Sequence, residues 1–538
     1  MERIWWKEAV AYQIYLRSFY DSNGDGIGDL PGIIEKLDYL KDLGIDVIWV
    51  CPFYKSPNAD NGYDISDYQA VLEEFGTMED FNRLLEETHK RDMKLIIDLV
   101  VNHTSDEHPW FIESRSSKDH PKRDWYIWVD QPNNWQSIFG GPAWKYDEQT
   151  DQYYLHIFSV KQPDLNWENE DMRQSVYNMI NWWLDKGIDG FRVDAISHIK
   201  KTKGLPNGQS STEPPWEHMM NVDGIHNYLS ELYAETFSNY DVMTVGEANG
   251  VSTDDIYKWV GKDHGKFSMI FQFEHLDLWD RDSNAGVDVP KLKEVLTKWQ
   301  HALDKDGWNA LFIENHDIPR SPTTWGNDEQ YWYECSTALG VMYFFMKGTP
   351  FIYQGQEIGM TNAEYSSIHD FNDIKDHNFY KQQVEQGENA QEIIDTLNMT
   401  SRDHARTPMQ WTAEENAGFT TGTPWLKTNP NYKTINVESQ LKDPHSVLSF
   451  YKDMIQLKKS DEIFTYGKYD LVFENSPTVF AYTRTLNQDQ VLVLTNLSED
   501  RTPIDLSQYE LGHLLLNNYS EIDEAVLKPY ESRVYQTK

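Results

Sequence analysis

Three carboxylic acids in this chain close short apolar runs: Asp194 in "GFRVDAISH", Glu247 in "VMTVGEA" and Asp317 in "ALFIENHD". Each run otherwise reads as a buried strand, so each acid sits where desolvation is costly and persists mainly for function. Other polar ends accompany them: Asp98, Asn102 and His103 in "KLIIDLVVNH", Arg192 two residues before Asp194, and His316 beside Asp317. No Gly-x-Ser-x-Gly elbow and no His-x-x-x-His or cysteine spacing is present, which turns the reading away from acyl transfer and from a metal site made by these histidines. Paired carboxyls suit glycoside chemistry. A retaining mechanism needs a nucleophilic carboxylate and a second carboxyl that keeps its proton, about 5 to 5.5 Å apart. Asp194 is the nucleophile on this reading, because Arg192, on the same strand face, favours its ionised form. Glu247, set in an apolar run with Ala248 after it, is the general acid/base, with burial holding its proton on. His103 and His316 are placed to donate hydrogen bonds to sugar hydroxyls. Asp317 would bind the 2-OH and 3-OH in a way that strengthens in an oxocarbenium-like transition state.

Such groups must be brought together by the elements that carry them. Eight apolar, β-branched runs, "VAYQIYLRSF", "IDVIWVCP", "KLIIDLVVNH", "IDGFRVDAI", "VMTVGEA", "FSMIFQF", "ALFIENHD" and "TPFIYQGQEIG", alternate with amphipathic stretches such as "LPGIIEKLDYLKDLG" and "MEDFNRLLEETHKRD". The alternation predicts an α/β fold, a (β/α)8 TIM barrel with its chemistry at the C-terminal strand ends. The barrel is expected over 1–103 and 171–464. Residues 104–170 exceed what a strand-to-helix loop needs and read as an inserted subdomain after the third strand. A polar excursion follows the eighth strand at about 361–433, and alternating short strands over 465–538 predict a C-terminal antiparallel β-sandwich.

The chain has 538 residues, a net charge of −39 and an aromatic content of 14%. This charge argues against nucleic acid or an anionic membrane as partner, and no run of 18 apolar residues is present. Rings of this abundance can stack on sugars, so the expected partner is a small neutral oligosaccharide. The two cysteines, Cys51 and Cys335, sit in apolar surroundings and the N-terminus carries no signal-peptide pattern, which together predict a cytoplasmic protein. A monomer or weak homo-oligomer without an organic cofactor is expected. In "DSNGDGIGD" oxygen side chains alternate at Asp21, Asn23, Asp25 and Asp29, with Ile27 completing the alternate positions. The spacing suits either a hard-cation loop or an Asp/Gly turn, and Gly32 stands where an EF-hand would have its bidentate Glu.

The ordered set "DLVVNH", "QPDLNW", "GFRVDA", "GEA" and "ENHD" resembles the motifs of the α-amylase family, glycoside hydrolase family 13. "WWKEAVAYQIYLRSFYDSNGDGIGDL", "DNGYDI", "YQGQEIGM" and "SRDHARTPMQW" are similar to its α-glucosidase and oligo-1,6-glucosidase branch. The resemblance implies the barrel, the subdomain, the C-terminal domain and the roles given to Asp194, Glu247 and Asp317. It also implies that Asp60, Tyr63 and Arg406 form the blind end of the pocket, with Asp60 paired to Arg406, and hence exo-action. Phe139 and Phe158 would be pocket walls, and the Asp21–Asp29 loop would hold a structural Ca2+ or Mg2+.

Within that branch the residue after the nucleophile tracks the bond cleaved, Val for α-1,6 and smaller residues for α-1,4. Ala195, with Asn249 and His198 around it, therefore predicts an α-1,4-specific enzyme acting on maltose and maltooligosaccharides, with oligo-1,6-glucosidase as the alternative. "LWDRD", Leu278 to Asp282, is similar to a sucrose isomerase motif but lacks its leading Arg. Trehalose-6-phosphate hydrolysis would want a basic phosphate pocket, against the charge balance. A non-catalytic sugar-binding relative would be expected to lose one of the three carboxylates, and all three are present.

Overall fold

The computed structural model describes residues 3–261, 264–276, 278 and 286–537. All eight predicted runs are strands: β1 Ala11–Ile14, β2 Val47–Val50, β3 Lys94–Val100, β4 Gly190–Asp194, β5 Met243–Glu247, β6 Met269–Phe271, β7 Ala310–Leu311 and β8 Thr349–Tyr353. They pair in parallel in the order 6-5-4-3-2-1-8-7, and a parallel bridge from Ile270 to Asn309 closes the ring. Inward residues such as Ala11, Val47, Trp49, Ile96, Val245, Met269 and Phe351 fill the lumen, while Ile48, Ile97, Phe191 and Val193 face the helices. That alternation is the two-residue period of a strand with both faces buried.

Register decides which polar side chains share a level. Asp98 on β3 lies opposite Arg192 on β4, and Val100 opposite Asp194. Gly190 helps to set this register. Its φ is +143°, and a Cβ there would lie 1.8 Å from the Met243 carbonyl oxygen, so β4 can start this close to β5 only with glycine.

The inserted segment carries a helix, Pro109–Ser116, and a three-stranded antiparallel sheet with Gln152–Leu155 between Trp128–Val129 and Trp144–Asp147. Its core of Trp135, Trp144, Leu155 and Ile157 takes in Met219 from the segment after β4. The excursion after β8 forms helices Ile374–Gln386, Ala390–Thr400 and Asp403–Arg406 around Tyr365, Phe371, Ile393 and Leu397.

The C-terminal domain departs from the expected sandwich. Strands β9 Lys468–Val472, β10 Val479–Leu486, β11 Asp489–Asn496, β12 Leu511–Asn517 and β13 Ser532–Thr537 form one antiparallel sheet. Its second layer is only the ribbon pairing Thr502–Pro503 with Val526–Leu527. The physical reason is that the sheet's other face needs no partner of its own: Phe480, Tyr482, Val493 and Val534 join the same core as Leu339, Val341 and Met342 of helix Trp332–Phe344.

Candidate active site

The strand ends meet as their register requires. Arg192 is buried beneath the site, and its one guanidinium serves three carboxyls: Nη1 donates to Asp98 and to Asp194, both at 2.6 Å, and Nη2 to Glu247 at 2.7 Å. Asp98 also accepts from Trp49 Nε1 at 2.9 Å and from the Tyr63 hydroxyl at 3.2 Å. Asp194 and Glu247 are thus the two forward acceptors of one planar fork. One cation thus holds the two carboxyls side by side, the arrangement that a nucleophile and an acid serving one bond require.

Two electrostatic expectations change. Burial pushes the Asp194 carboxyl well above its ordinary range. Arg192 opposes that shift, while Glu247, Asp98 and a hydrogen bond to Glu247 add to it. Arg192 therefore does not by itself hold Asp194 ionised in the free pocket, because its charge is divided among three acids. The surroundings of Glu247 are also not apolar: its Oε2 accepts from Arg192 and, at 2.8 Å, from the backbone N–H of Ala195. That N–H is aimed inward because Ala195 takes a left-handed conformation, φ +44°.

Asp317 is held differently. Burial disfavours its charge, but His316, Arg402 and Arg406 together outweigh burial and keep the carboxyl well below the usual carboxylate range. Arg402 Nη1 and Arg406 Nη2 each reach its Oδ1 at 2.9 Å, and His316 Nε2 lies 3.1 Å from Oδ2.

A cavity of about 180 Å³ opens over these groups, lined by Asp60, Tyr63, His103, Phe139, Phe158, Asp194, Ala195, His198, Glu247, Asn249 and Asp317. It falls below the roughly 300–1,000 Å³ of drug-sized pockets and suits one sugar ring. Burial lowers His103 and His198 to about 4 each, so both are neutral imidazoles at physiological pH. His103 Nε2 lies 3.1 Å from the Tyr63 carbonyl and His198 Nδ1 2.8 Å from that of Met219.

Three predicted residues lie elsewhere. Arg192 is behind the carboxyls. His316 does not line the cavity: it stacks between Tyr63, at 5.3 Å, and Tyr15, at 6.1 Å, and Gln13 Nε2 is 2.8 Å from its Nδ1. It orients Asp317 from behind. Arg406 is not the partner of Asp60. It is fixed by the His316 carbonyl and Asp317, and the guanidinium facing Asp60, at 3.7 Å, is that of Arg402. The two arginines stand four positions apart, about one helical turn, and spacing does not say which of them faces the cavity.

Sequence reasoning missed Arg402, Trp216, Phe273 and Ile138, which complete the lining, and Gln162, whose Nε2 donates to Asp60 at 3.0 Å. Gln162 opens the quoted "QPDLNW", the one signal available for it.

The Asp21–Asp29 loop uses its oxygens on itself. Asp21 accepts from the N–H groups of Asn23, Gly24 and Gly26, Asn23 from that of Asp25, and Asp25 from that of Ile27. Asp29 caps the first barrel helix, accepting from Gly32 at 2.6 Å. Among the described residues no three His, Cys, Asp or Glu side chains are grouped to hold a metal ion, and no helix is long and apolar enough to cross a membrane. Of "LWDRD", Trp279 to Asp282 lie outside the described residues.

The comparisons with known proteins agree with this fold. Residues 13–467 match the α-amylase catalytic domain, and 479–534 the C-terminal domain of the α-amylase SusG. The chain belongs to the α-amylase family of glycoside hydrolases. Among the relatives of this α-amylase-family chain are a probable oligo-1,6-glucosidase of Bacillus subtilis, 53% identical over 99% of this chain and 100% of its own, and the oligo-1,6-glucosidase of Parageobacillus thermoglucosidasius, 52% identical over the whole of both. Similar solved structures include isomaltulose synthase from Klebsiella sp. LX3, 42% identical with a TM-score of 0.95 over 100% of both chains. These relatives fit the α-1,6 alternative better than the α-1,4 reading drawn from Ala195.

Proposed function

We propose that this glycoside hydrolase is a retaining, exo-acting α-glucosidase that removes glucose from the non-reducing end of short α-1,6-linked isomaltooligosaccharides. The observation that carries the reaction class is the single Arg192 fork on Asp194 and Glu247. The glycosidic oxygen enters beside the two carboxyls and takes a proton from Glu247, while Asp194 attacks the anomeric carbon and forms a glucosyl-enzyme ester. Water, deprotonated by Glu247, then releases glucose and regenerates Asp194. Asp317, fixed by two arginines, holds ring hydroxyls as charge develops on the ring. Exo-action is supported by the small cavity and by Asp60 facing Arg402 in its wall.

The α-1,6 linkage rests on the relatives named above. A specific feature favours a second reading, α-1,4-linked maltose and maltooligosaccharides: Ala195 lines the pocket without the β-branched methyl that would crowd the next glucose. A panel of isomaltose, panose, maltose, maltotetraose, sucrose and trehalose 6-phosphate tests both. The first reading expects the highest kcat/KM on isomaltose, and better turnover of maltose overturns it in favour of the second.

A structural Ca2+ or Mg2+ on the Asp21–Asp29 loop is part of the proposal. Asp21, Asn23, Asp25, Ile27 and Asp29 would hold it in addition to the turn contacts they already make, and it would supply rigidity rather than chemistry.

A further inference from the structure

The excursion after β8 reaches the pocket through one side chain, Arg402, and that side chain is itself held from the far end. Asp373, fully buried, grips its guanidinium at two points: Arg402 Nε donates to Oδ2 at 2.5 Å and Nη2 to Oδ1 at 2.8 Å. The remaining Nη1 donates to Asp317 at 2.9 Å, and Nη2 also faces Asp60 at 3.7 Å. A two-point grip on a planar fork leaves no rotation about its axis, so the carboxylate of Asp373 sets where the outward edge of Arg402 lies. The neighbouring residue returns the grip: Asp403 Oδ2 accepts from the backbone N–H groups of Asn372 and Asp373 at 2.6 and 3.0 Å. The segments around 372–373 and 402–403 thus lock each other by side chains running in both directions.

We infer that Asp373 is a positioning residue for the sugar site, acting through Arg402 on Asp317 and Asp60. It touches neither the cavity nor a reacting group. Removing its charge frees the guanidinium to turn toward other acceptors, and the two carboxylates that bind the terminal glucose lose a fixed partner. The inference deepens the exo-glucosidase reading and rests on it only for the identity of the bound sugar. Loss of a hydrogen-bonded buried charge partner leaves the other charge uncompensated, so the effect on function is expected to exceed that of a surface ion pair.

The test uses the full-length protein and p-nitrophenyl α-glucoside, a substrate that does not depend on the linkage preference. Its hydrolysis by the wild-type protein checks the α-glucosidase reading independently. Asp373→Asn is expected to lower kcat/KM at least about tenfold and to weaken competitive inhibition by glucose, which occupies only the terminal site, by a similar factor. Asp373→Glu keeps the charge and should recover part of both. In an Arg402→Ala background, Asp373→Asn should cost less than about twofold more, because its route to the site is already gone. Equal losses in the two backgrounds, or an unchanged glucose inhibition constant in folded Asp373→Asn, would overturn the inference. If Asp373→Asn does not fold, the same comparison with Asp373→Glu decides it: its loss must shrink in the Arg402→Ala background.

Discussion

Asp98 and Arg192 face each other across the β3–β4 pair, and their 2.6 Å ion pair lies directly below the two carboxyls proposed to do the chemistry. Asp98 is wholly buried, and burial raises it to about 6 against the pull of Arg192. Replacing it with Ala leaves Arg192 with two acids in place of three and strips Trp49 and Tyr63 of an acceptor. Breaking a buried pair costs about 3–5 kcal/mol. Asp98→Ala is expected to lower the melting temperature and to reduce kcat by at least about tenfold, read by calorimetry and by glucose release.

The assignment of nucleophile and acid is separable by leaving group. Asp194→Asn is expected to lose at least about a thousandfold in kcat on every substrate. Glu247→Gln should lose as much on isomaltose yet far less on α-glucosyl fluoride, whose departing anion needs no proton. Equal losses on both substrates would place the acid elsewhere.

Ala195 offers a direct test of linkage. Ala195→Val places a β-branched residue at φ +44°, where such side chains are strained, so some loss on all substrates is expected. The informative quantity is the ratio of kcat/KM for isomaltose over maltose. An increase of about tenfold or more is expected if this position reads the bond, and an unchanged ratio assigns the choice to Asn249, Trp216 or Phe273.

Burial raises Asp60 to about 7, with Arg402 and Arg406 opposing the shift. Between its ordinary value, about 3.9, and 7 the folded protein holds a proton on Asp60 that the unfolded chain has released. Stability from this group is therefore present at low pH and lost as pH rises through that window. Relative to Asp60→Asn, the wild-type melting temperature should fall between pH 4 and 7. A difference that stays flat or rises would contradict the burial of this carboxyl.

The proposed loop ion is checked by thermal melting in EDTA and after readdition of Ca2+ or Mg2+. Readdition is expected to raise the melting temperature by several degrees, and Asp25→Ala, which spares the Asp21 turn contacts and the Asp29 helix cap, should abolish the rise. An identical melting temperature with and without the ions removes the site from the proposal.

The barrel was readable because its eight runs are local signals of β-branched and aromatic residues between amphipathic stretches, and because Asp194, Glu247 and Asp317 lie in or just beyond those same runs. What was not readable depends on distance along the chain. Arg402 meets Asp60 across more than three hundred residues, and only the fold of the excursion decides that it, rather than Arg406, turns toward the cavity. The same holds for Trp216 and Phe273, which come from connecting segments where periodicity carries no information. His316 lies in a turn beyond β7, and the rings of Tyr15 and Tyr63 on either side hold it behind Asp317. Charge sharing was equally hidden: the motif puts Arg192 beside Asp194, but the division of that charge among three acids needs the register of β3, β4 and β5.

The ring of strands is also unequal around its circumference. Among the described residues β6 and β7 meet at one bridge, Ile270 to Asn309, whereas β3 and β4 align over five residue pairs, Ile96 to Val100 with Gly190 to Asp194. Slow deuterium uptake should therefore persist longest at the β3–β4 seam and fail first at β6–β7. Asp194 stands on the most firmly sewn side of the cylinder and Asp317 beside its loosest, so thermal inactivation should begin with Asp317 drifting while Asp194 is still in place.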